Sequence, residues 1–155
     1  DNIEEKDRIV TGFGVSLSGI WQFAENTSLC FQGVYGKGIS YYIQDISGSG
    51  LDLVPCATAE GKLKAIRAWG GYIGFSHNWC KALTSNIMYS YARVLDRYGM
   101  PATSYKYAQY AAANLFWDFS EYGSCAIEYV FGRRNDFNKD YGNASRINTM
   151  IQYRF

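Results

Sequence analysis

The sequence predicts an all-β fold, an antiparallel up-and-down β-barrel segment with one face suited to lipid, and three observations carry that expectation. Apolar residues alternate with polar or small ones over successive stretches of the chain, the period of a strand with two unlike faces. Aromatic residues make up 17% of the 155 residues, against two prolines, a profile rich in strand formers. Connections are expected to be short after the first, third and fifth strands and longer after the second, fourth and sixth, the asymmetry of outer-membrane barrels.

A first strand is expected over 9–23, with Phe13, Val15, Leu17, Trp21 and Phe23 on one parity and Gly14, Ser16, Ser18 and Gln22 on the other. Residues 24–27 read as a turn, and Leu29, Phe31 and Tyr35 continue the alternation as the return strand of a hairpin. From 45 to about 61 the pattern dissolves into SGSG, Pro55 and small residues, which reads as a long loop. Pro55 and the irregular parity argue against an extra strand hidden in 51–63.

Trp69, Ile73, Phe75 and His77 then share a face, a short turn near 80–83 follows, and Ile87, Tyr89 and Tyr91 mark the fourth strand. Residues 96–104, with Gly99 and Pro101, read as a medium loop. A fifth strand is expected over 105–119, a turn at 120–123, and a sixth strand with Cys125, Ile127, Tyr129 and Phe131 on one face. Residues 133–144 read as a polar loop. The seventh strand, 146–155, alternates Ile147, Thr149, Ile151, Tyr153 and Phe155 with Arg146, Asn148, Met150, Gln152 and Arg154.

Mean hydropathy is slightly negative, and no stretch approaches the roughly 20 consecutive apolar residues of a membrane-spanning helix. A membrane barrel escapes that test, because its apolar residues occupy alternate positions. Aromatics supply a second test, since amphipathic rings collect where hydrocarbon meets headgroups. Trp21 and Phe23 precede the first short turn, Trp79 the second, Trp117 and Phe119 the third, and Tyr153 with Phe155 ends the chain. These seven residues are expected to form one interfacial girdle.

A formal net charge of +1 from 15 basic and 14 acidic residues provides no footprint for nucleic acid. Residues 1–8 are polar and lack the pattern of a signal peptide, so any such segment is expected upstream or removed. Cysteines 30, 56, 80 and 125 form no CxxC pair and are expected to be free thiols rather than metal ligands. His77 is the single histidine and sits beside Trp79 in parity, an interfacial position rather than a catalytic one. No catalytic residue, metal site or cofactor is expected. The polar parity set, namely Asn114, Glu128, Arg134, Arg146, Asn148 and Gln152, is the candidate pore lining.

Five segments, GKGISYYIQD, GKLKAIRAWGGYIGFSHNW, NLFWDF, IEYVFGRRND and SRINTMIQYRF, resemble the DcaP-like outer-membrane porins. They span most of the chain from Gly33 to Phe155. The resemblance implies a sixteen-stranded, trimeric channel in the bacterial outer membrane for small hydrophilic solutes, with anionic, dicarboxylate-like compounds the associated class. It also implies that the terminal Tyr153 to Phe155 is read by barrel-insertion machinery. About seven strands are too few for an aqueous channel, so the chain is expected to be the C-terminal part of a larger barrel. The rival expectations are a small filled barrel with a structural or adhesive role and a soluble β-barrel that binds a small molecule. Arg134 and Arg146 are expected to draw anions toward the external side of a channel.

Overall fold

Alternating side chains let a strand bury one face while its backbone pairs on both edges, and the long alternating stretches of this chain do so in sequence order. The computed structural model describes residues 9–55 and 63–155. Its strands are β1 (Phe13–Ala24), β2 (Thr27–Lys37), β3 (Leu53–Pro55), β4 (Leu63–Ala65), β5 (Arg67–Cys80), β6 (Leu83–Val94), β7 (Tyr105–Asp118), β8 (Gly123–Asp136) and β9 (Tyr141–Tyr153). Seven of them form one antiparallel sheet in the order β1-β2-β5-β6-β7-β8-β9, and β3 pairs with β4 in a separate ribbon. The meander is open among the described residues, with β1 and β9 as its outer strands. Residues 1–8, and Cys56 and Gly61 with their neighbours, lie outside the described residues.

Register places every expected outward residue on one face. Leu29, Phe75, Ile87, Ala113, Tyr129 and Ile147 stand directly across from one another along one row of that face. Ser28, Ser76, Asn86, Asn114, Glu128 and Asn148 do the same on the other. The apolar face is solvent-accessible throughout, with Val15, Leu17, Ile87, Ile147 and Ile151 all well exposed. A contiguous apolar surface of this extent needs a partner that is not water.

Two hairpins close as the turn chemistry suggests, through Glu25 and Asn26 and through Lys81 and Ala82. The last hairpin departs from the expectation. Residues 133–144 are not a loop: Arg133 pairs with Asn143, Arg134 with Gly142 and Asn135 with Tyr141, and only 137–140 turn. The strict alternation of short and long connections therefore stops there. Polarity misleads at this point because a strand that continues beyond the apolar zone keeps its ladder while its side chains become hydrophilic. Strand β8 accordingly runs on to Asp136 and β9 begins already at Tyr141, both inside the stretch expected to be loop.

The described parts of the long connection, 38–55 and 63–66, also differ from an outward loop. Two short 3-10 turns, Ser40–Tyr42 and Gln44–Ile46, and the β3-β4 ribbon fold them back onto the polar face of the sheet. Ile39, Ile43 and Ile46 bury themselves there with Ala68, Ala92 and Val94. Glycines on that face make the room: a Cβ added at Gly14 or Gly36 would lie 3.0 Å from Ile39 Cγ2, and one at Gly70 3.1 Å from Ile43 Cγ2. Tyr105 Oη donates to Asp45 Oδ2 at 2.8 Å, Asp52 Oδ1 accepts from the Ser40 N–H at 2.7 Å, and the Gly38 N–H reaches Ile66 O at 2.8 Å. The buried core of the described residues lies between this segment and the sheet.

A buried carboxylate secures the second connection, 95–104, to the same end. Asp96 accepts from the Arg67 N–H at 3.0 Å and from its guanidinium Nη2 at 2.6 Å and Nε at 2.9 Å. These donors hold the Asp96 carboxyl below its usual pKa, the hydrogen bond from the Arg67 side chain outweighing desolvation. A depressed folded-state pKa means that the stabilisation is complete above the ordinary carboxylate value of about 3.9 and fades as pH falls through the lower folded value. Asp96→Asn should lower stability by about 1–2 kcal/mol at pH 7, because one partner is half-exposed. The deficit relative to wild type should shrink below about pH 4, as read from urea midpoints across a pH series.

Candidate functional site

Seven expected interface aromatics stand on the apolar face or at its turn end. Trp21, Phe23, Trp79, Trp117, Phe119, Tyr153 and Phe155 are all exposed. Neighbouring rings meet edge-on or tilted: Trp21 with Phe23 at 5.8 Å, Phe23 with Phe75 at 5.9 Å, and Trp117 with Phe119 at 5.9 Å between centroids. His77 lies in this band, 4.5 Å from Trp79 and with Nδ1 2.8 Å from Thr27 Oγ1.

A second aromatic band lies outside the set of residues expected at the interface. Trp69 stacks on Tyr91 at 4.9 Å and Tyr91 on Tyr107 at 5.5 Å, on the same face but at the opposite end. Their shared parity with Tyr35 was visible in the sequence; what was missing was the register that sets them side by side. Trp69 and Trp79 are ten residues apart on β5, roughly 33 Å of strand. At a tilt of about 40° this projects to about 25 Å, the height of the apolar band of outer-membrane barrels.

The opposite face carries the candidate pore lining. Asn86 Nδ2 donates to Asn114 Oδ1 at 2.8 Å, and Asn148 Nδ2 donates to Glu128 Oε1 at 2.8 Å. Asn114 Nδ2 points to the other Glu128 oxygen at 3.4 Å. Four strands are thus joined by a ladder of side-chain amides centred on one carboxylate. Asn86, a member of this ladder, was not among the expected lining residues, although its parity marks it. Arg146 stands across from Val130, one step along the strand pair from Glu128 and Asn148, and Gln152 stands across from Ser124 nearer the turns.

Arg134 does not present the free charge expected of it. Its Nε donates to Asp136 Oδ1 at 2.9 Å, and its guanidinium lies 5.6 Å from the centre of the Tyr105 ring. Residues i and i+2 of a strand point the same way, so the extension of β8 through Asp136 creates this pair. The expectation of two arginines acting together on anions reduces to Arg146.

Between the folded-back segment and the polar face lies a crevice of about 700 Å³, lined in part by Gln32, Tyr42, Asp45, Tyr72, Ser90 and Tyr110. Gln32, Tyr72, Ser90 and Tyr110 form one cross-strand row. Its hydroxyls and amides offer hydrogen bonds without formal charge. Cys30, Cys80 and Cys125 are free thiols. Among the described residues no group of three His, Cys, Asp or Glu side chains comes together.

No family model and no curated protein matches the chain. Among solved structures it is similar to the outer membrane channel DcaP of Acinetobacter baumannii, with 19% identity and a TM-score of 0.76. The likeness covers 93% of this chain and 41% of that one, so the chain spans about two fifths of the channel's length. Over nearly its whole length, therefore, this chain shares the fold of about two fifths of that channel.

Proposed function

We propose that the chain is part of a bacterial outer-membrane porin, a passive route for small hydrophilic solutes, with the apolar face against lipid and the polar face lining water. One observation carries this reading: the two faces of a single sheet differ in chemistry along every strand, and the apolar one is bounded by two aromatic bands about 25 Å apart. A soluble barrel would pack its core against that apolar face, whereas here the buried core forms on the opposite, polar face. In this reading the folded-back residues narrow the passage, and the crevice lined by Tyr72 and Tyr110 borders the solute path.

The full-length protein, reconstituted in planar bilayers, should show stepwise conductance. A sealed bilayer with heat-modifiable gel migration would instead favour a filled structural barrel, and solubility without detergent would end both membrane readings. Trimeric assembly, recognition of the C-terminal strand by insertion machinery and preference for anionic solutes belong to this proposal through the resemblance to DcaP-like porins. The anionic preference rests structurally on Arg146. Arg146→Gln should lower the anion-to-cation permeability ratio about threefold at low salt, the effect of one charge near 6 Å at high dielectric. Arg134→Gln should change it less, because Asp136 already compensates that charge. Equal shifts in reversal potential from both variants would refute the division of roles.

A further inference from the structure

We infer that the outward face, at the end bearing connections 38–66 and 95–104, binds the phosphorylated headgroup and one acyl chain of an outer-leaflet glycolipid. The inference rests on the membrane reading above. The strands' outward positions carry formal charge at Lys37, Arg67, Arg93 and Arg133, all basic and all at that one end. The turn end of the same face has aromatic residues and no such charge on its strands. An apolar belt closed by rings at both ends but by cations at one alone matches a bilayer whose two leaflets differ in headgroup charge.

Not all four cations are available. Arg67 is engaged by Asp96 through several hydrogen bonds. Arg93 stands across from Trp69 on one side and Tyr107 on the other, and Arg133 lies across from Gln109 and packs its guanidinium 4.3 Å above the Tyr141 ring. Both side chains are only partly buried, with Nε enclosed against the sheet, so an outside ligand meets the terminal guanidinium nitrogens and not Nε. A phosphate oxygen is an acceptor that those terminal nitrogens fit well. Two strand spacings and two residues separate Arg93 from Arg133, roughly 12 Å, so one headgroup bearing two phosphates reaches both.

Below Arg93, toward mid-membrane, the same face is hollowed into an apolar trough of about 860 Å³. Gly33 and Gly71 stand directly opposite each other and supply its floor, while Leu17, Tyr35, Trp69, Ile73, Tyr89 and Tyr91 contribute to its walls. A hydrocarbon chain descending from a headgroup held at Arg93 enters this trough beside the Trp69–Tyr91 stack. A free phosphate ion would use the arginines and ignore the trough.

The test uses the full-length protein in phosphatidylcholine vesicles containing bisphosphorylated lipid A or its dephosphorylated form, with lipid retained after detergent extraction counted by native mass spectrometry. Wild type should retain the bisphosphorylated lipid. The double variant Arg93→Gln with Arg133→Gln should lose about thirtyfold in retention, the combined contribution of two surface arginines. Gly33→Leu projects a side chain into the trough from a position whose Cβ meets nothing within 4 Å, and should weaken retention while both arginines remain. The pore-side variant Arg146→Gln should retain lipid as wild type does. Equal retention of both lipid forms, no loss in the double variant, or displacement by millimolar inorganic phosphate irrespective of Gly33 would overturn the inference. Failure to insert into either vesicle would overturn the membrane reading with it; insertion without lipid discrimination would overturn the inference alone.

Discussion

Ile87→Arg should destabilise the bilayer-embedded protein by about 2–4 kcal/mol, the cost of a cation on the lipid face near the membrane midplane. Ile87 is 61% exposed on the apolar face and lies midway along β6, between Leu83 at the turn end and Tyr91 in the upper aromatic band. A loss of that size lowers the folded-to-unfolded ratio roughly thirtyfold or more. Met88→Arg is the matched control: it changes the next residue of the same strand, whose neighbours across the ladder are Gly74 and Ala112 on the polar face. There the new charge meets water and should cost far less. Urea titrations in lipid vesicles, followed by tryptophan fluorescence, measure both. If the two variants lose stability equally, or Ile87→Arg is harmless, the apolar face does not meet lipid and the channel reading fails at its base.

Releasing residues 38–55 from the polar face should raise single-channel conductance, because in the proposed channel they occupy part of its cross-section. Ile46 is 0% exposed and is the anchor to remove. Ile46→Ala alone forfeits about 2–5 kcal/mol of packing. Ile43→Asp with Ile46→Asp adds two carboxylates without partners and should detach the segment altogether. The strand ladder is built from other residues, so heat-modifiable migration of the barrel should survive the double variant. Unchanged conductance in a correctly inserted variant would show that the segment does not lie in the solute path.

Strand identity and facing were legible because both follow from local alternation. Once backbone pairing enforces a period of two, Phe13, Leu17, Phe75 and Ile151 must share a face, and Ser76, Asn114 and Gln152 must share the other. Short turns at Glu25 and Asn26 and at Lys81 and Ala82 were legible for the same reason, since alternation stops on both sides of a polar pair. The aromatic band at the turn end follows from parity and from distance to those turns.

What tertiary structure alone decided depends on partners far along the chain. Ile39, Ile43 and Ile46 keep a helical spacing for only two turns, so nothing local reveals that they find apolar surface on the far strands, or that Gly14, Gly36 and Gly70 are small to receive them. Strands β8 and β9 extend through polar residues because a ladder does not require hydrophobic side chains where water is available, and that extension brings Asp136 beside Arg134. Register decided the rest: it set Trp69, Tyr91 and Tyr107 in one stack, linked Asn86 through Asn114 to Glu128 and Asn148, and left Arg93 and Arg133 facing outward at one end. The amino-acid sequence by itself determined which face each residue takes, a consequence of backbone geometry; which residues meet across that face was determined by strand pairing between positions that no local pattern connects.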